Sequence, residues 1–159
     1  DMTMIVFNNH IYGMTGGQFS PLTPQGKNTT TSPYGSVNRS FDLCSLAIGA
    51  GASFVARGDI YHAKQLTDLI VAGYTHKGMA VIEVMATCPI SYGRRNQMPK
   101  PIDMMNFLKE NTVNKTRADK MTPEELADKL VVGVLYEGVA NEYNDEYQKM
   151  VDRALGGGK

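Results

Sequence analysis

The chain opens on a near-continuous apolar run, Met2 to Phe7, that ends abruptly at Asn8-Asn9. Such a run predicts a strand covered on both faces, as in a parallel sheet. Residues 13–40 then lose all periodicity and are rich in Gly, Pro, Ser and Thr. A loop of that length inside a compact domain is either functional or disordered. Helical spacing returns with Leu43, Leu46, Ala47 and Ala50, with Ser40 as the N-cap and the glycines 49 and 51 at the end. "ASFVAR" reads as a short strand ending at Arg57. A second helix follows from Tyr61 to His76, with Leu66, Leu69 and Ile70 on one face and Gly78 as its stop. "MAVIEVMATC" is a third strand running into Cys88-Pro89. Strand, loop, helix, strand, helix, strand is the alternation of an open parallel α/β sheet.

The pattern beyond residue 100 is less regular. Residues 102–110 read as a short helix, and Thr122-Pro123-Glu124-Glu125 as a helix start combining N-cap, proline at N1 and glutamate at N3. "VVGVLYEG" suits a strand or an extended arm, residues 141–155 a final amphipathic helix, and the closing "GGGK" a frayed tail. No internal repeat is visible.

Composition narrows the classes of function. The 159 residues suffice for one domain with a hydrophobic core. Sixteen basic residues balance sixteen acidic ones, so no overall field draws the chain to nucleic acid or to an anionic membrane. No apolar run approaches the roughly 20 residues that span a bilayer, and Met4-Ile5-Val6-Phe7 is too short for the core of a signal peptide. Two cysteines argue against a disulfide-stapled secreted fold and for a cytoplasmic setting. A strand that begins directly after Asp1 reads as part of a larger polypeptide or assembly.

In open parallel sheets, ligands bind beyond the carboxyl ends of the strands. Here those ends are Asn8-Asn9, Arg57 and Cys88, which parallel strands bring to one edge. Asn9 offers a neutral amide oxygen of the kind Mg²⁺ accepts beside phosphate oxygens. Gly13, Gly16 and Gly17 allow backbone N–H groups to approach a diphosphate. The same letters also suit an Asn-rich turn and a flexible loop. Cys88 suits a thiolate ligand, a nucleophile or an inert buried thiol, the last being the commonest fate of a lone cysteine at a strand end. Cys44 lies within the first helix, where packing accounts for it. His62 and His76 flank the second helix, and His10 suits either role. Arg94-Arg95 suits an anionic ligand or plain solvation.

"NNHIYGMTGGQFSPLTPQGKNTTTSPYG", "FDLCSLAIGAGASFVAR", "HKGMAVIEVMATCPISYGRRN" and "GVLYEG", in this order and spacing, resemble the β subunit of 2-oxoacid:ferredoxin oxidoreductases, most of all the 2-oxoglutarate branch. The resemblance implies an α/β fold, an open, mainly parallel sheet of the thiamine-diphosphate-binding type with an irregular C-terminal extension. Residues 1–100 would be the C-terminal part of the thiamine diphosphate-binding domain, and residues 101–159 a subunit-contacting extension. It also implies that the Asn9 side chain and the Ile11 carbonyl bind Mg²⁺, and that Tyr12, Gly13, Met14 and Thr15 line the diphosphate. Cys88 matches the fourth ligand of a 4Fe–4S cluster. The Gly-Asp-Gly half of the cofactor motif and the other three cluster cysteines have no counterpart here, and Leu22 and Ile90 stand where threonine is more usual.

The implied reaction is oxidative decarboxylation of a 2-oxoacid, with electrons passing singly to the cluster and ferredoxin while coenzyme A accepts the acyl group. The α subunit would supply the acid that activates thiamine, so no general base is expected in this chain. A pyruvate or branched-chain relative, or a non-catalytic docking module, would share much of this pattern.

Overall fold

A computed structural model describes residues 1–156. Its elements are β1 (Met2–Asn8), α1 (Leu43–Gly49), β2 (Phe54–Asp59), α2 (Ala63–Thr75), β3 (Met79–Met85), α3 (Pro101–Asn111), β4 (Thr112–Asn114), α4 (Lys115–Ala118), α5 (Pro123–Leu126), β5 (Leu130–Glu137) and α6 (Tyr143–Ala154). The strands form one five-stranded sheet in the order β1-β3-β2-β5-β4. β3 runs parallel to β1 on one side and to β2 on the other. β5 joins β2 antiparallel and carries β4 parallel on its far side, so the sheet is mixed but parallel at its centre.

Alternation along the strands divides the core. Ala80, Ile82 and Val84 meet Phe54, Ala56 and Leu69 on the α2 face. Val81 and Val55 meet Cys44 and Ala47 on the α1 face. Arg57, Glu83 and Val6 lie side by side across the three parallel strands, and this row shares the α1 face with Val55 and Val81.

Several expectations change in detail. β1 is an edge strand paired to β3 alone, and Met2, Met4, Ile5 and Phe7 are exposed rather than covered. The N-cap of α1 is Asp42, not Ser40, because the Asp42 carboxylate accepts the Cys44 and Ser45 N–H groups. β3 stops at Met85, short of Cys88. "VVGVLYEG" is a strand, and β4 and α4 had no counterpart in the sequence reading. The Thr122 helix start is realised as a capping box with Glu125. Of the closing "GGGK", residues 157–159 lie outside the described residues.

The long loop is ordered by its own threonines. Thr23 and Thr29 are fully buried. The Thr23 hydroxyl accepts from Ser20 N–H, the Thr29 hydroxyl accepts from Ser32 N–H, and Gly26 N–H donates to the Ser36 carbonyl at 2.7 Å. Asn28 is tied to Asn96 in the turn after Cys88. Among the described residues, no helix is long and apolar enough to cross a membrane.

Candidate cofactor site

The site lies where β1 ends. Asn8 is buried, and the chain turns sharply at His10, whose φ of 64° is rare for a residue with a Cβ. Three side-chain hydrogen bonds hold that turn. Asn8 Oδ1 accepts from His10 N–H at 3.0 Å, Asn9 Oδ1 accepts from Ile11 N–H at 3.2 Å, and the Thr23 hydroxyl donates to the His10 carbonyl at 2.6 Å. The His10 ring contacts the Leu22 carbonyl and lies 5.3 Å from the Tyr92 ring. Burial holds its pKa below the ordinary histidine value, outweighing the Leu22 contact and the Glu83 charge.

Tyr12 to Gln18 then close on themselves. Tyr12 N–H donates to the Gln18 carbonyl, Gly17 N–H to Tyr12 and Gly16 N–H to Gly13. Gly16 and Gly17, at φ of 126° and 81°, make this closure possible. Their N–H groups are therefore spent on the turn rather than offered to an anion. Those of Gly13, Met14 and Thr15 have no backbone acceptor among the described residues. Met14 and Thr15 are exposed, Tyr12 is half exposed and Ile11 is buried.

The two candidate ligand groups meet at Gly13. A Cβ on that residue would lie 3.3 Å from Cys88 Sγ and 3.8 Å from Asn9 Nδ2. Cys88, half-buried as a free thiol, is thus packed against the Asn9 loop although 79 positions separate the two in sequence. The turn from Cys88 to Gly93 fixes it, with Tyr92 and Gly93 N–H both donating to its carbonyl. A cavity of about 320 Å³ opens beside Asn8, Asn9, Ile11 and Tyr12 and is walled by Pro21 and Phe41.

The donor set suits magnesium and a diphosphate. The Asn9 oxygen gives one lone pair to Ile11 N–H and keeps a second. No backbone N–H donates to the Ile11 carbonyl among the described residues. Two neutral oxygens are the kind of partial set Mg²⁺ accepts when phosphate oxygens and water complete its octahedron. Among the described residues, no group of three or more His, Cys, Asp or Glu side chains converges in a metal-holding arrangement.

A model of the thiamine pyrophosphate enzyme C-terminal TPP-binding domain matches residues 1–84. The chain belongs to this family. It is 48% identical over 96% of its length to 2-oxoglutarate synthase subunit KorB of Methanocaldococcus jannaschii, covering 57% of that protein. It is 43% identical over 56% of its length to the 2-oxoacid:ferredoxin oxidoreductase β subunit of Saccharolobus solfataricus, covering 29% of that protein. The chain spans about half the length of the curated relatives it matches along nearly its whole extent. Its fold superimposes with a TM-score of 0.77 on the 2-oxoglutarate:ferredoxin oxidoreductase of Magnetococcus marinus, solved with 2-oxoglutarate, coenzyme A and succinyl-CoA bound. That match is 24% identical and covers 99% of this chain and 54% of the other.

The remaining sequence candidates fall elsewhere. Arg57 lies within β2 and is committed to Glu83 at 2.6 Å and Asp42 at 3.1 Å. His62 pairs with buried Asp59 at the start of α2, and His76 contacts the Ser53 hydroxyl. Arg94 and Arg95 are exposed. The sequence reading passed over Glu83, the one charged residue in "MAVIEVM". Its signal was visible: a carboxylate inside an apolar strand must find partners.

Proposed function

We propose that this chain is the cofactor-binding portion of the β subunit of a 2-oxoacid:ferredoxin oxidoreductase that converts 2-oxoglutarate and coenzyme A to succinyl-CoA. The observation that carries this is the convergence of Asn9 and Cys88 on Gly13. The similarity to KorB subunits along nearly the whole chain supports the choice of 2-oxoglutarate.

On this reading, the Asn9 side-chain oxygen and the Ile11 carbonyl would hold Mg²⁺, and the Gly13, Met14 and Thr15 N–H groups, with Tyr12, would hold the diphosphate. Cys88 would be a thiolate ligand of a 4Fe–4S cluster, which would supply one-electron transfer towards ferredoxin. Bound thiamine diphosphate supplies the carbanion chemistry that decarboxylates a 2-oxoacid. The contribution of this chain is positional: a turn fixed by Asn8, Asn9 and Thr23 presents preset oxygens and amides, and no proton transfer is assigned to it. The activating acid comes from an α subunit. Two free cysteines accord with a reducing cytoplasm.

The test uses the complete complex purified without oxygen. Asn9→Leu should abolish thiamine diphosphate retention, and Cys88→Ala should remove or destabilise the iron–sulfur absorption while leaving thiamine binding in place. Turnover with coenzyme A and a viologen acceptor should favour 2-oxoglutarate over pyruvate. Unchanged cofactor content in Asn9→Leu would refute the loop assignment, and an intact cluster in Cys88→Ala would refute the thiolate.

A further inference from the structure

We propose that Glu83, acting through Asn8, is a positioning residue for the Asn9–Ile11 loop. The inference rests on that loop being the Mg–thiamine diphosphate site. Glu83 is 2% exposed in the middle of β3, flanked by Ile82 and Val84, which are both fully buried. Its two oxygens are divided. Oε2 accepts from Arg57 Nε at 2.6 Å and faces Cys44 Sγ at 3.4 Å, whereas Oε1 accepts from Asn8 Nδ2 at 2.7 Å.

The division has a chemical consequence. An ionised carboxylate can only accept hydrogen bonds, so it dictates which end of the Asn8 amide faces it. With the NH₂ held by Glu83, the Asn8 oxygen must point the other way, where it receives His10 N–H at 3.0 Å. That bond pins one side of the positive-φ bend at His10, and Thr23 pins the other. Asn9 and Ile11 flank the bend, so the aim of both proposed Mg²⁺ oxygens depends on it. A pair of apolar residues would pack the β2–β3 row at less desolvation cost than Arg57 and Glu83. The orienting bond to Asn8 is what the apolar pair would lack. Burial also pushes the Cys44 thiol up to about 12, so it faces Glu83 as a neutral donor.

The experiment measures the Mg²⁺ concentration that half-saturates thiamine diphosphate binding, by calorimetry on the complete complex stripped of cofactor. Mn²⁺ paramagnetic resonance provides a second readout. Glu83→Leu combined with Arg57→Met removes the ion pair as a unit. It should raise the Mg²⁺ requirement by about 10–100-fold, the usual effect of losing a partner that orients a ligand, while the melting temperature of the stripped complex stays close to native. Asn8→Ala should reproduce the loss with the ion pair intact, which covers the case of a double variant that fails to fold. Glu83→Gln, still offering Asn8 an acceptor, should recover most of it.

Asn9→Leu is run in parallel. If it alone loses the cofactor while the double variant and Asn8→Ala keep native Mg²⁺ affinity, the positioning role is overturned and the loop reading stands. Native binding in Asn9→Leu overturns both. A loss that merely tracks melting temperature, with no recovery in Glu83→Gln, reduces Glu83 to a structural ion pair and overturns the proposal.

Discussion

β1 and β3 carry sequences of the same kind, MTMIVFN and MAVIEVM, and pair in parallel along their whole length, from Met2 opposite Met79 to Asn8 opposite Met85. Their surroundings differ. Every residue of β3 from Ala80 to Met85 is buried, whereas in β1 only Asn8 is. β3 has a strand on each side, α1 above and α2 below. β1 has one neighbour, and α2 reaches it with a bond from the Thr3 hydroxyl to the Gly73 carbonyl. An apolar run thus identifies a strand, but topology decides how much of it is buried. The charge in β3 reinforces the point: Glu83 is tolerable only because Arg57, Asn8 and Cys44 surround it.

The largest expected stability effect is at the centre of β3. Ile82 is 0% exposed and packs with Phe54, Leu69 and Val84. Ile82→Ala should cost about 2–5 kcal/mol, from lost burial plus the cavity left behind. Denaturant titration would measure it, and a cost under 1 kcal/mol would mean that this face of the sheet can collapse around the gap.

The same spot is tight as well as buried. A Cβ on Gly73 of α2 would approach Ile82 Cδ1 to 2.7 Å and Phe54 Cε1 to 3.4 Å. Gly73→Val should therefore cost roughly 1–3 kcal/mol by overpacking. The double variant Gly73→Val/Ile82→Ala should be less destabilised than the sum of the two singles, since the shortened side chain makes room. Strict additivity would show that helix and strand do not compete for that volume.

How much of this was legible depended on the reach of each interaction. The βαβ alternation and the Thr122–Glu125 capping box are local patterns, and both are present. The cap of α1 was not settled locally, because Ser40 and Asp42 are both good capping residues. Asp42 prevails with bonds to Cys44 and Ser45 and a contact to Arg57 fifteen positions away. β4 and α4 are three and four residues long, too short to display a period. β5 was ambiguous because its pairing with β2 bridges more than 70 positions. The ligand candidates Asn9 and Cys88 were legible by resemblance, but their meeting at Gly13 is a tertiary fact. Glu83 was overlooked because its partners lie on two other strands and a helix.

A smaller effect is expected where α1 covers β3. The Asp42 carboxylate accepts Cys44 and Ser45 N–H and the Ser45 hydroxyl. Burial alone would raise its pKa, but the Ser45 bonds and the Arg57 charge outweigh it and hold the value below the ordinary aspartate range. Asp42→Ala should cost about 1 kcal/mol at neutral pH, a usual loss for an N-cap. A carboxyl depressed in the folded state binds its proton more readily when unfolded. Its stabilisation is therefore complete above the ordinary aspartate value and fades as pH falls through the folded one. The gap between native and variant melting temperatures should narrow on acidification; a gap that stays constant down to strongly acidic pH would remove the charge from the explanation.

The smallest expected effect tests the comparison most directly. Ile5 lies beside Ile82 in register, so both side chains point to the α2 face, yet Ile5 is 39% exposed where Ile82 is 0%. Ile5→Ala removes the same atoms from a parallel strand at the sheet edge. With a large share of that surface already in water and little packing to leave a cavity, its cost should be roughly 1 kcal/mol or less, close to a partial transfer term alone. The two variants measured side by side hold residue type, strand direction and sheet face constant, and the burial that comes with edge or central position is the remaining variable. If Ile5→Ala proves as costly as Ile82→Ala in the assembled protein, the outer face of β1 is covered there by structure beyond these residues. Its apolar sequence would then match its surroundings in the assembled state, and the contrast between the two strands would hold for these residues taken alone.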